Sequence, residues 1–422
     1  MRGLPWLCLA PALVLQAQPR PQSFTLPNGL RVVHLEDHEH PLVRARLYLR
    51  VESGDTPADR QGLPLLFHRL LDGAETADLK AGDLDRILAD AGIQLRSSLE
   101  AGGFTWELVA RSRDQDRAMG LLADRLLRPL FDPTLLEAER QAFQQQLEHP
   151  EASPHRRLRQ GLTRDLRSRP TPDSLKTMTL QDLLAFRARA FRPDRAILIL
   201  HGDLGLEQAK RLVLLNLGSW ATQAAPPGRP PSAPAPAPSL PLEGPRIAAP
   251  GAGIRVQALA PRPGDLAPEA AELLCLLVPG DPSLAPVRVA MEEDGLVATL
   301  DGGGDTSGSV IWFLLLRRLE VLRQRGFTQA ELDSARTAWL ARRSLDSLHP
   351  EAQMARALAE VLGRGGTEEP MRAMSLDALN ANLRNWLDPA NLHLGASGDP
   401  EGLKSIPIRG SRSGPQDRGT AP

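Results

Sequence analysis

The sequence predicts an α+β protein built from two similar halves, and three observations carry that reading. Alternating, strand-like runs and amphipathic, helix-like runs follow one another on both sides of a divide. The divide is a Pro/Ala-rich stretch over 224–250, whose prolines fit neither helix interiors nor central strands. Each half also closes in the same way: a helix, a Pro-containing turn, then a strand ending on Gly202-Asp203 or Gly398-Asp399. Such a recurrence marks an internal duplication. A chain of 422 residues has room for two or three cores, at roughly 150 residues each. Its hydrophobic content of 42% is that of packed domains. Lys+Arg number 50 and Asp+Glu 51, without the basic excess of a dedicated nucleic-acid binder.

The N-terminus reads as a signal peptide over 1–17. Arg2 supplies the charge, Leu4 to Leu15 the apolar run, and Ala17 the small residue. The run is too short for a bilayer core of about 30 Å, so the expectation is export without a stable membrane span. Cys8 falls in this segment, leaving Cys275 as the one cysteine of the mature chain. It cannot form an internal disulfide or a zinc–cysteine site. Its place in the apolar run Ala270 to Val278 predicts a buried thiol.

The first half spans 22–223. Ser23 to Leu35 reads as strand, turn and strand around Asn28-Gly29. Leu42 to Val51 puts Leu42, Arg44, Arg46, Tyr48 and Arg50 on one parity and apolar residues on the other, a half-buried strand. His38-Glu39-His40 before it is a solvated loop, because tetrahedral zinc needs three or four well-placed ligands. Thr56-Pro57-Ala58-Asp59 has the chemistry of a helix start, and that helix runs to Gly73. A helix over 81–91 ends at Gly92. Strands over 93–99 and 104–110 follow, then amphipathic helices over 114–127 and 133–147. The arginine-dense segment Arg156 to Arg169 could form a patch for an acidic partner or phosphate, but Leu158, Leu162 and Leu166 at helical spacing favour a solvated helix face. A helix over 180–191, a buried strand over 195–203 and a helix over 206–217 complete the half.

The second half spans 251–400. It opens on a strand over 255–259 and a helix over 267–278. Residues 294–299 read as irregular. Gly302-Gly303-Gly304 lacks the Gly-Lys-Ser/Thr of a phosphate loop and is a turn. Ile311 to Arg325 begins with equal claims to strand and helix. Thr328-Gln329-Ala330-Glu331 is a capping box that opens a long helix, broken at His349-Pro350. Helices over 352–362 and 376–386 lead to a strand over 391–396. From Glu401 to the end at 422 the composition predicts a disordered tail.

In order and spacing these landmarks resemble the insulinase-like metallopeptidase family, which includes pitrilysin and the mitochondrial processing peptidase. The similarity runs from Phe24 to Pro400. It is carried by Phe24-Thr25-Leu26-Pro27-Asn28-Gly29-Leu30, Gly62-Leu63, Leu122-Ala123-Asp124, Pro129-Leu130-Phe131, Glu139-Arg140, Gly202-Asp203, Glu331-Leu332-Asp333-Ser334-Ala335 and Gly398-Asp399. It implies two homologous metallohydrolase domains, each a mainly antiparallel sheet packed with helices, clasped around a chamber. Active members carry H-x-x-E-H, two zinc-binding histidines on one helix face and a glutamate that activates water. Laid on Gly62-Leu63, that pattern puts Leu65 at the first His, His68 at the Glu and Arg69 at the second His. The remaining ligand falls at Gln146, seven residues after Glu139. Leucine has no donor atom and arginine repels a cation, so neither zinc nor another cofactor is expected. The arginine and tyrosine that the second half of such proteins contributes to substrate binding fall at Ala285 and Ala298.

The resemblance therefore implies a non-catalytic subunit, exported to the periplasm. It would form half of a peptide-holding chamber, lined by the motif helix and the Arg156 to Arg169 segment, and support an active insulinase-like partner in a heterodimer. Two alternatives stay open. One is a self-contained binding or assembly module, a homodimer without peptidase activity. The other is a zinc peptidase with a relocated site, drawing on His38, His40 or His68 and on Glu137 or Glu139.

Overall fold

A computed structural model describes residues 21–57, 59–80, 82–100, 102–148, 154, 158, 170–222, 243–292, 295–302 and 307–407. The signal-like segment, residue 223 and linker residues 224–242, all of 156–169 but Leu158, and 408–422 lie outside the described residues.

Asn28-Gly29 turns the chain between β1 (Gln22–Thr25) and β2 (Arg31–Glu36), an antiparallel pair. Gly29 takes a φ of 93°, open to glycine at no steric cost. Asn28 Nδ2 donates to the carbonyls of Leu217 and Trp220 at 2.8 and 3.0 Å, tying the first turn to the end of the half. The chain continues through β3 (Leu42–Arg50), α1 (Leu63–Gly73), β4 (Glu75–Thr76), α2 (Asp83–Ala91), β5 (Gln94–Glu100) and β6 (Gly103–Arg111). Then come α3 (Gln115–Leu127), β7 (Pro129–Leu130), α4 (Pro133–Glu148), α5 (Pro172–Thr177), α6 (Leu180–Ala190), β8 (Ala196–Gly202) and α7 (Leu206–Leu217). The main sheet has the order β1-β2-β8-β3-β6-β5. Only its β2–β8 pair is parallel. Val43, Ala45, Leu47 and Leu49 of β3 enter a core shared with α1, α3, α6 and α7. The opposite parity, with Arg44, Arg46 and Tyr48, lies on the other face, as period-2 alternation requires.

The second half comprises β9 (Glu243–Ala248), β10 (Arg255–Pro261), α8 (Pro268–Leu277), β11 (Arg288–Glu292), β12 (Gly295–Asp301), α9 (Gly308–Arg325) and α10 (Gln329–Asp346). It ends with α11 (Pro350–Val361), α12 (Glu368–Ala373), α13 (Leu376–Trp386), β13 (His393–Gly398) and α14 (Pro400–Lys404). Read from β9, its sheet runs β9-β13-β10-β12-β11, the same neighbour order as β2-β8-β3-β6-β5. The β9–β13 pair is parallel, like β2–β8. Side chains repeat as well. Arg140 donates to the Met178 carbonyl and pairs with Glu137; Arg336 donates to the Met374 carbonyl and pairs with Asp333. Both halves are thus copies of one α+β unit.

Several expectations are corrected. The helix expected to start at Thr56 begins at Leu63, behind Gly62 at φ 82°, while Ser53–Asp55 forms a separate turn closed by Glu52 and Asp55. Part of the expected linker is strand: β9 begins at Glu243 and completes the sheet edge beside β13. Residues expected to be irregular form β12, hydrogen-bonded on both sides. The tail does not begin at Glu401, because α14 and the buried Leu403 and Ile406 still belong to the second core. Cys275 is exposed, since the buried stripe of α8 is Ala270, Ala271, Leu273 and Leu274.

Each half also covers the other's open sheet face. Met354 and Ala357 of α11 pack on Val33, Leu35, Tyr48, Ile197 and Ile199 of the first sheet. In return, Leu158 of the first half is buried against Leu259 and Val297 of the second sheet.

Candidate functional site

Helix α1 buries Leu63, Leu66, Phe67, Leu70 and Leu71, the spacing of one apolar face. Its other side carries Leu65, His68, Arg69 and Asp72 towards α4 and β5. His68 stacks on Phe104 with ring centroids 5.9 Å apart, and its side chain is 13% exposed. Burial lowers its pKa, opposed by Asp72 and aided by Arg125 and Arg69, so the neutral imidazole is favoured. Asp72 accepts from Ser97 Oγ of β5 at 2.7 and 2.8 Å. Arg69 reaches α4. Its Nη1 lies 3.4 Å from Glu139 Oε2, and its guanidinium carbon stands 4.6 Å from the centre of the Phe143 ring. A fixed cation, held by a carboxylate and an aromatic face, therefore fills the cleft between α1 and α4. Gln146 lies on α4 near its C-terminal end, with its side chain outside the described residues.

Sequence reasoning thus placed Leu65, His68 and Arg69 on one helix face, and the structure brings Arg69 to Glu139. It gave no signal for Phe143, whose role rests on a partner 74 positions earlier in the chain. The donor set does not fit zinc: Leu65 offers no lone pair, Arg69 carries a positive charge, and His68 is a single nitrogen ligand. Among the described residues no three His, Cys, Asp or Glu side chains converge as metal ligands.

His38, His40 and His201 lie elsewhere. His38 in the β2–β3 loop is exposed, with Nδ1 2.7 Å from Asp203 and Nε2 2.9 Å from Glu36. Its hydrogen bond to Asp203, then that to Glu36, raises its pKa. With His40 and the buried His201 it lines a cavity of about 410 Å³, closed on the far side by Ser347, Leu348, Pro350 and Gln353. Neither His38 nor His40 shares a hydrogen bond or ion pair with His68, Glu137 or Glu139 among the described residues. Ala285 is exposed at the end of the 282–284 turn, and Ala298 is fully buried in the second core.

α1, expected to line a chamber, packs on the core face of the first sheet. The opposite face carries a polar group that sequence reasoning missed. Arg44 and Arg46 of β3 meet Glu351 of α11 at 3.5 and 3.2 Å, and Arg46 also meets Glu107 at 2.6 Å. The parity of Arg44 and Arg46 was the available signal.

Comparison with known proteins fits this architecture. The family model described as Insulinase (Peptidase family M16) matches residues 31–176, and that described as Peptidase M16 inactive domain matches 177–259. Together they span more than half of the chain. The chain belongs to the insulinase family of peptidases, M16. No curated protein sequence matches it significantly. A protease from Helicobacter pylori aligns at 16% identity and a TM-score of 0.72, over 90% of this chain and 99% of that one. The peptidase M16 inactive domain of Pseudomonas fluorescens aligns at 16% and 0.70, over 90% and 98%. The first half of the periplasmic protease PqqL of Escherichia coli aligns at 15% and 0.66, over 93% and 95%. At these identities the likeness is one of fold.

Proposed function

We propose that this chain is a non-catalytic member of the insulinase family, a subunit that forms half of a peptide-holding chamber and supports an active, zinc-bearing partner. The observation that carries the proposal is the α1–α4 cleft, where Arg69, paired with Glu139 over Phe143, stands among the positions assigned to the zinc motif. A guanidinium there opposes a metal cation at close range. The reciprocal covering of the sheets is in keeping with a structural subunit. Export to the periplasm is proposed from the N-terminal segment, and a fold neighbour is described as a periplasmic protease.

Co-expression with a family member that keeps H-x-x-E-H tests the proposal. The expected result is a stable mixed complex, with peptidase activity abolished by substitution in the partner's motif and retained when Glu139 of this chain becomes Gln. A homodimer that ignores the relative would favour the self-contained module instead. Activity of the isolated chain, lost on Glu139→Gln, would restore the relocated-site reading.

A further inference from the structure

The open face of the first sheet carries a carboxylate site already filled by the protein itself. Glu351 stands in the first turn of α11, a helix of the second half, and reaches Arg44 and Arg46 of the first. The arginine side chains are only 19% and 14% exposed, whereas that of Glu351 is 58% exposed. Beside them opens a cavity of about 370 Å³, which Arg96 of the edge strand β5 also lines. No ion pair of Arg96 is found among the described residues. Without Glu351, Glu107 is the one carboxylate in the cavity wall, against three guanidinium groups.

Half-buried arginines hold carboxylates through charge-assisted hydrogen bonds, stronger than those between neutral groups. An exposed carboxylate on a solvent-facing turn gives up its partners at low cost. We infer that this cavity binds the carboxylates of acidic peptides, and that Glu351 is an internal stand-in which such a peptide displaces. The inference deepens the chamber reading, on which it rests, by naming the peptide class.

Fluorescence anisotropy of the full mature chain with labelled peptides provides the test. Each Asp/Glu-rich peptide is paired with its Asn/Gln counterpart and with a Lys-rich one, and each is made with a free and an amidated C-terminus. The acidic peptide is expected to bind about tenfold tighter than its amide counterpart. Arg46→Gln and the exposed Arg96→Gln each remove most of that preference, and Glu351→Gln tightens acidic binding severalfold. Preference that follows the side chains assigns the site to Asp and Glu; preference that follows the free terminus assigns it to a C-terminal carboxylate. Equal binding of all peptides, stronger Lys-rich binding, or weaker acidic binding in Glu351→Gln overturns the inference while leaving the chamber intact. Binding of no peptide overturns the chamber reading and this inference with it.

Discussion

The same cleft occurs twice in this molecule, with its charges exchanged between the two helices. Between α1 and α4, Arg69 lies over the Phe143 ring and pairs with Glu139. Between α8 and α10, Glu272 accepts from the indole Nε1 of Trp339 and from the Gly366 backbone at 2.8 Å, while Arg343 stands 5.0 Å from the Trp339 ring. Phe143 and Trp339 occupy matching places in α4 and α10, as Arg140 and Arg336 do. Each cleft holds an arginine over the ring and a carboxylate, but α1 supplies the cation and α4 the carboxylate in one half, whereas α8 supplies the carboxylate and α10 the cation in the other. The comparison teaches that an aromatic side chain fixes this helix pair, and that the polar group beside it is replaceable.

The largest expected effects follow from that claim. Phe143→Ala and Trp339→Ala should each cost about 3–5 kcal/mol, the usual range for a buried aromatic, read by urea denaturation. A cost near zero at either would break the equivalence of the two clefts. Gly62→Ala should cost about 1–3 kcal/mol, because the residue sits at φ 82° and its Cβ would fall 2.3 Å from the Pro170 nitrogen. The polar groups sharpen the contrast. Glu272→Gln should cost about 1–3 kcal/mol by leaving one of two donors unpaired. Arg69→Leu should cost about 1 kcal/mol, since the two side chains are 35% and 25% exposed although the facing Nη1 and Oε2 atoms are buried. Equal costs would mean that Arg69 is as structural as Glu272.

The smallest effect separates the halves by pH. Burial is the main cause that holds His34, His68 and His201, all in the first half, below the ordinary histidine value, about 6.5. Protons then favour the unfolded chain. Stability is full above that value and falls as the pH drops through and below it. His38 acts in the opposite sense, stabilising below its ordinary value and losing that contribution as the pH rises through its raised one. With three groups against one exposed one, the denaturation midpoint should be lower at pH 5.5 than at pH 7.5, and His201→Gln should reduce the drop. A midpoint that rises on acidification would contradict this account.

Much of the fold was legible because local rules and tertiary packing agree in particular places. Asn28-Gly29 makes its hairpin, Thr328 and Glu331 cap α10 reciprocally, and both closing strands end on Gly-Asp. β12 was missed because it is buried on both faces, which erases alternation. α9 begins with the apolar run from Val310 to Leu316, which suits strand and helix equally until its length decides. Of the site, Leu65, His68 and Arg69 were placed by the family resemblance, whose motif falls on the helix after Gly62. The contact of Arg69 with Phe143, and that of Glu351 with Arg44 and Arg46, join segments far apart in sequence, and no periodicity reports them.

The central claim is that the α1–α4 cleft is built around Arg69 and has no place for a catalytic metal. Zinc content of the purified mature chain, measured by mass spectrometry after equilibration with micromolar zinc and gel filtration, tests it most directly. The account predicts far less than one zinc per chain and no change on Arg69→Leu. One tightly held zinc per chain, lost on Glu139→Gln or His68→Gln, would contradict it.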